Sequence, residues 1–243
     1  MVLEDEKLRF RWDDLLAVTA HLPGTGGETR TVPEDFVVTE MPSYLPSGTG
    51  VHLYAYVEKR GLTTRDLVNA LKKQGVPERA IGVAGLKDKQ AVTRQWLSVP
   101  QEFADCLDAL EQLEGVSILE KSRHGNKLGV GHLRANRFEV TVHDSLPDSL
   151  ARAQAILHHI KTVGLPNYFG PQRYGRFNSN AQDAMRLVRG EMISGGRKLH
   201  DFFLVALQSH LFNWMLTRRI ERGLYDRVVK GDMAQKHDTG GMF

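Results

Sequence analysis

One cysteine in 243 residues removes two chemistries at once. Cys106 can form no internal disulfide and no cysteine-rich zinc site. Its place in "EFADCLDAL", among Phe103, Leu107 and Leu110, makes it a small apolar filler on an amphipathic helix. Long hydrophobic runs are missing too, since none approaches the ~18–20 residues of a membrane span. The opening "MVLEDEKLRFRWDD" is acidic and lacks the basic-then-apolar order of a secretory leader, so a cytoplasmic protein with no membrane partner is expected. Nucleotide and metal motifs are equally scarce. "GTGG" at 24–27 is followed by no Lys-Ser/Thr pair, and the ten histidines form no HExxH and no cluster with carboxylates.

What is present is ordinary in amount and uneven in placement. With 41% hydrophobic and 25% charged residues the chain can bury one sizeable core or two modest ones. Net charge is only +3, yet "KSRHGNKLGVGHLRANR" (121–137) carries five Lys/Arg and no acid, and 161–222 carries ten basic residues against four acidic. Segregated positive charge is the footprint of a polyanion partner, most simply a nucleic acid; the alternative is charge that only solubilises.

Periodicity outlines the elements. Proline opens a half-buried strand at "PEDFVVTE", and "VHLYAYVEK" alternates Leu53, Ala55 and Val57 against His52, Tyr54 and Tyr56. "TTRDLVNALKKQG" is a helix with a Thr63-x-x-Asp66 start, basic residues in its last turn and Gly75 beyond. Strands are expected near 81–84 and 91–99, a helix over 101–113, and strand material in "VSILEKS", "HLRAN" and "RFEVTVHD". "PDSLARAQAILHHIKTVG" is a helix ended by glycine, and after it the chain is mainly helical, over 180–190 and 199–222. The expected fold class is α+β, a mostly antiparallel mixed sheet flanked by helices followed by a helical domain, with the boundary near 162–165.

"AGLKDKQAVTRQWLSV" (84–99) sets Asp88 between Lys87 and Lys89 in a strand-to-strand turn. Alone, such a triplet is a solvated turn whose charges contribute less than about 1 kcal/mol. Other segments change its reading. "PEDFVVTE" (33–40), "AGLKDKQAVTRQW" (84–96), "ANRFEV" (135–140), "GLPNYFGPQRYGR" (164–176) and "DTGGMF" (238–243) resemble, in order and spacing, the TruD family of tRNA pseudouridine synthases. The resemblance covers about residues 30–243. It implies a pseudouridine synthase-like catalytic domain over 1–162, a TruD-type insertion domain over 163–243, a tRNA substrate modified at uridine 13, no cofactor, no metal and a monomer.

On that resemblance Asp88 is the catalytic residue, acting either as a nucleophile on C1′ or as a base on the ribose. Lys87 and Lys89 favour its ionised form. Phe138 is placed against an everted uracil with Asn136 as a polar contact, although periodicity alone reads Phe138, Val140 and Val142 as one packed face. Arg30 stands where the family typically has a lysine, and Glu40 either orients that cation or finishes a strand. Tyr168, Phe169 and Tyr174 with Arg173 and Arg176 suit stacking and phosphate contact, or equally a rigid hinge that packs its own aromatics. Arg123, Lys127, Arg134 and Arg137 are candidates for RNA backbone contacts, with a solvated hairpin as the alternative.

Family members run on past the "GGMF" position through a late segment of the form F-x-L-P-x-G-x-Y-A-T, which this sequence lacks. A second expectation therefore stands beside the first: a truncated, non-catalytic RNA-binding relative.

Overall fold

The computed structural model describes residues 5–242. The start of the acidic opening and Phe243, the last residue of "DTGGMF", lie outside them. Eight strands and four α-helices are described: β1 (Glu28–Thr29), β2 (Phe36–Pro42), β3 (His52–Arg60), α1 (Thr64–Lys73), β4 (Gly82–Val83), β5 (Val92–Pro100), β6 (Val116–His124), β7 (Leu133–Val140), β8 (Val142–His143), α2 (Ser149–Val163), α3 (Asn180–Val188) and α4 (Arg197–Glu221). Among the described residues no helix is long and apolar enough to cross a membrane.

The chain divides into two compact units. One is Gly26–Pro147; the other joins the segment up to Thr25 to the chain from Asp148 onward. The boundary expected near 162–165 instead meets the C-terminal cap of α2, where Gly164 takes a φ of 84°. Gly164 ends a helix, which is why composition changes there, whereas chain compactness changes one helix earlier.

In the Gly26–Pro147 unit the sheet order is β6-β3-β5-β2-β7, with β4 also paired to β5. Only β2 and β5 run parallel; the other pairs are antiparallel. This is the mixed, mostly antiparallel sheet that the alternation predicts. β1 and β8 pair separately, so the continuous strand expected across "RFEVTVHD" breaks after Val140. Pro33 opens a short 3-10 turn over Pro33–Asp35 rather than the strand itself, since its ring fixes φ and removes a donor.

The inward residues of β3 and β5, Ala55, Val57, Leu97 and Val99, pack with Leu67 and Leu71 of α1. Each buried valine or leucine among them contributes about 1.5–3 kcal/mol. α1 starts at the expected capping box: Asp66 Oδ2 accepts from Thr63 N at 2.7 Å, and Thr63 Oγ1 accepts from Asp66 N at 3.2 Å. Residues 101–113 depart from expectation. They form 3-10 turns over Gln101–Gln112, bent at Phe103 (φ −109°, ψ 18°). Their apolar residues explain the change, because Leu107, Leu110 and Leu113 recur every third position, the 3-10 period. Cys106 packs at the rim of this core, half-buried, as a filler.

In the other unit α3 and α4 pack through Ala181, Ala184 and Ala206, whose small side chains allow close approach. Leu8, Phe10, Tyr174, Phe203 and Leu207 fill the rest of that core.

Candidate active site

The segment from Gly85 to Ala91 joins β4 to β5 and is held from beneath by buried polar groups. The Lys87 N–H donates to Thr64 Oγ1 at 2.8 Å, that hydroxyl donates to Gln95 Oε1 at 2.8 Å, and Gln95 Nε2 donates to the Gly85 carbonyl at 3.4 Å. The Lys87 ammonium turns inward and donates to Glu40 Oε2 at 2.7 Å, while Glu40 Oε1 accepts the Trp96 N–H at 3.2 Å. Lys59, 0% exposed, donates from Nζ to the carbonyl of Asp88 at 2.8 Å and also to the carbonyl of Leu62. Held on both flanks, the turn presents Asp88 and Lys89 outward. The Asp88 carboxylate has no hydrogen-bond partner among the described residues.

Strand register sets what lies on the same face. Lys59 pairs with Thr93, Thr93 with Val38, and Val38 with Phe138, so one cross-strand row runs over β3, β5, β2 and β7. Three inter-strand steps make the row about 14 Å long at the backbone. The Asp88 turn is anchored at its Lys59 end, and Phe138 closes the other. Glu40 pairs with Asn136 in the neighbouring row. Asn136 Oδ1 and Thr93 Oγ1 are buried without a hydrogen-bond partner among the described residues. Unsatisfied buried polar atoms are rare in folded proteins and mark places that a ligand or water completes.

Phe138 is 58% exposed and stacks on Phe36 at 5.7 Å between ring centroids, with planes 28° apart. The Arg30 guanidinium lies over Phe36 at 4.0 Å. Arg30 reaches this position with a φ of 62°, a left-handed conformation that costs a non-glycine residue about 1–2 kcal/mol. Asp35 holds the turn in place: its Oδ2 accepts from Thr31 N at 2.8 Å, from Thr31 Oγ1 at 2.5 Å and from Val32 N at 3.1 Å. Its Oδ1 meets His143 Nε2 at 2.6 Å. Donation from Thr31 and His143 keeps the Asp35 carboxyl well below the usual range, and the same contact raises the His143 pKa.

Of the sequence-derived residues, Glu40, Asn136 and Phe138 share one face of β2 and β7, Arg30 lies over the Phe36 ring that stacks on Phe138, and Asp88 stands exposed on the turn whose carbonyl Lys59 holds. Two roles change. Lys87 is not offered to a substrate, because its ammonium is buried against Glu40. Glu40 orients Lys87, not Arg30, since Arg30 lies on the aromatic stack instead. Lys59, Thr64, Gln95 and Phe36 belong to the site without having been singled out by sequence. The signal for Lys59 was in the alternation, as the inward series Leu53, Ala55, Val57 continues to residue 59.

The basic candidates in this unit are spread. Arg123, Arg134 and Arg137 are exposed on β6 and β7, with Arg137 3.6 Å from Glu139. Lys127 donates to the Arg79 carbonyl at 2.8 Å. In the other unit the aromatics of 164–176 largely face inward. Tyr174 is 0% exposed, stacked on Phe10 at 4.7 Å and met by Asn213 Nδ2 at 3.1 Å, so it packs in the core and is not presented to RNA. Phe169 is clamped by Asn213 through both its N–H and its carbonyl. Tyr168 shares a hydrogen bond of 3.0 Å with Thr217. Arg173 lies over Phe169, while Arg176 is exposed beside Phe177.

A five-strand path with one parallel pair and a polar turn crossing one face defines an α+β mixed-sheet class. The same fold is seen in a crystal structure assigned to tRNA pseudouridine synthase D (TruD) from Methanosarcina mazei, with a TM-score of 0.71 at 21% identity, covering 100% of this chain and 71% of that one. The chain belongs to the tRNA pseudouridine synthase D (TruD) family, whose sequence model matches residues 14–195 and 194–242. It is 48% identical over 237 residues to a tRNA pseudouridine synthase D of Thermus thermophilus, covering 97% of this chain and 66% of that protein. A second relative, from Anaeromyxobacter dehalogenans, is 50% identical over 237 residues, covering 95% of this chain and 67% of its own length. The chain therefore spans about two thirds of the length of the curated relatives it matches.

Proposed function

We propose that this protein isomerises uridine to pseudouridine in tRNA, at uridine 13, with Asp88 as the reacting carboxylate. The C1′–N1 bond of the nucleoside breaks, the detached uracil turns over, and C1′ bonds to C5. The C5 proton leaves and N1 gains one, so the reaction has no net redox change. Asp88 either attacks C1′ or removes a ribose proton to open a glycal route. Both need an ionised, accessible carboxylate.

The observation that carries the reading is the row from the Asp88 turn to Phe138. A uridine must leave its stack to expose its sugar, at a cost of a few kcal/mol. Phe138, backed by Phe36 and Arg30, offers an open ring face for the extruded base, worth about 1–3 kcal/mol. Asn136 Oδ1 and Thr93 Oγ1 supply unsatisfied polar atoms on the same face. The family membership supports the substrate class.

The test is tritium release from C5-labelled uridine in tRNA by this chain and by Asp88→Asn. Release by the parent and none by the variant, with tRNA affinity kept, is the expected result. Equal release by both would remove Asp88 from the chemistry. Binding without release by the parent would favour a non-catalytic RNA-binding relative.

A further inference from the structure

Lys59 is the buried charge that the chemistry above leaves without a task. It ends the inward series of β3 after Leu53, Ala55 and Val57, where an aliphatic residue would bury more comfortably. Its ammonium makes no ion pair within contact distance among the described residues. It bridges two main-chain carbonyls instead, that of Leu62 on the way into α1 and that of Asp88 itself, at 2.8 Å. A strand, a helix entrance and the reactive turn thus converge on one nitrogen.

We propose that Lys59 is a positioning residue for the reaction, fixing the Asp88 main chain so that the carboxylate meets the sugar of the everted nucleotide in one orientation. The inference rests on Asp88 being the reacting group. A carboxylate on a loop has two free side-chain torsions; clamping the carbonyl of the same residue removes the backbone part of that freedom. A charged donor holds a carbonyl more strongly than a neutral one. The charged groups facing Lys59 are Asp88 and Lys87 in the turn and Asp66 on α1. Burial outweighs the two carboxylates and pushes the ammonium down to about 8.

Lys59→Met keeps length and packing while removing the donor. In single turnover on C5-labelled tRNA it should slow tritium release by about 100-fold, the size expected for a misplacement near 1 Å, with the tRNA Kd unchanged within about twofold. Lys59→Arg keeps the charge at high pH. The parent rate should fall as pH rises past about 8, where Lys59 loses its proton, and that alkaline limb should disappear in Lys59→Arg. Independently of turnover, hydrogen exchange over residues 85–91 should quicken about tenfold or more in Lys59→Met, as expected for a released local clamp. Parent-like release or parent-like exchange in Lys59→Met overturns the proposal, as does an alkaline limb that survives in Lys59→Arg. If Asp88→Asn is inactive while Lys59→Met matches the parent, this inference alone fails. If Asp88→Asn stays active, the assignment of Asp88 fails first.

Discussion

Glu40 and Lys87 form an ion pair 2.7 Å long whose side chains are 1% and 4% exposed, so the lysine that precedes Asp88 serves the scaffold. Removing one partner strands a buried charge. Glu40→Met or Lys87→Met alone should destabilise the protein by about 3–5 kcal/mol, whereas the two changes together should cost far less than either single change. Denaturant unfolding of the four proteins in the cycle checks this, and additive losses would contradict the pairing.

Phe138 is half-exposed, so its truncation should act on substrate far more than on stability. Phe138→Ala is expected to weaken productive tRNA engagement by about 5–150-fold, corresponding to the loss of one base stack of ~1–3 kcal/mol, with the melting temperature nearly unchanged. Phe138→Tyr should retain most of it. A large drop in melting temperature for Phe138→Ala would return this ring to the core.

The Asp35–His143 contact gives stability a pH window. Asp35 is depressed from its ordinary 3.8, so its contribution is present above that value and lost as pH falls toward the folded-state pKa. His143 is raised from 6.5, so its contribution is full below 6.5 and fades as pH rises through the raised value. The melting temperature of His143→Asn should therefore lie furthest below the parent between about pH 4 and 6 and converge with it in alkali. A constant difference across pH 4–9 would mean that protonation of His143 adds nothing to its contact with the Asp35 carboxylate.

Arg134 and Arg137 are exposed on β7, the strand that carries Phe138. If they touch phosphates, each change to alanine should weaken tRNA binding at low salt and reduce the slope of log K against log salt by about one. Arg137 gives up little to do so, because its exposed contact with Glu139 is worth less than about 1 kcal/mol. Filter binding over a salt series reads both numbers.

Tyr174→Phe should cost about 1 kcal/mol by deleting the Asn213 hydrogen bond, with tRNA affinity intact. A specific loss of tRNA binding at unchanged stability would place this ring on RNA after all.

Sequence by itself determined the elements whose signals are local. The Thr63–Asp66 cap, the alternation of β3, the glycine end of α2 and the helical pattern of α4 all lie within a few residues of what they specify, and the ordered motifs carry the family. Folding decided what depends on partners far away in the chain. That Lys87 meets Glu40, that Lys59 reaches Asp88, and that Phe138 shares a row with Thr93 follow from strand register, which joins residues 29 to 100 positions apart. The same holds for Tyr174, whose mixed aromatic and basic neighbourhood reads as a surface until α4 supplies Asn213 and His210 against it. A side chain's local pattern fixes which way it points from its own strand or helix. Whether that direction leads to water, to core or to a reacting group is set by the segment that packs there.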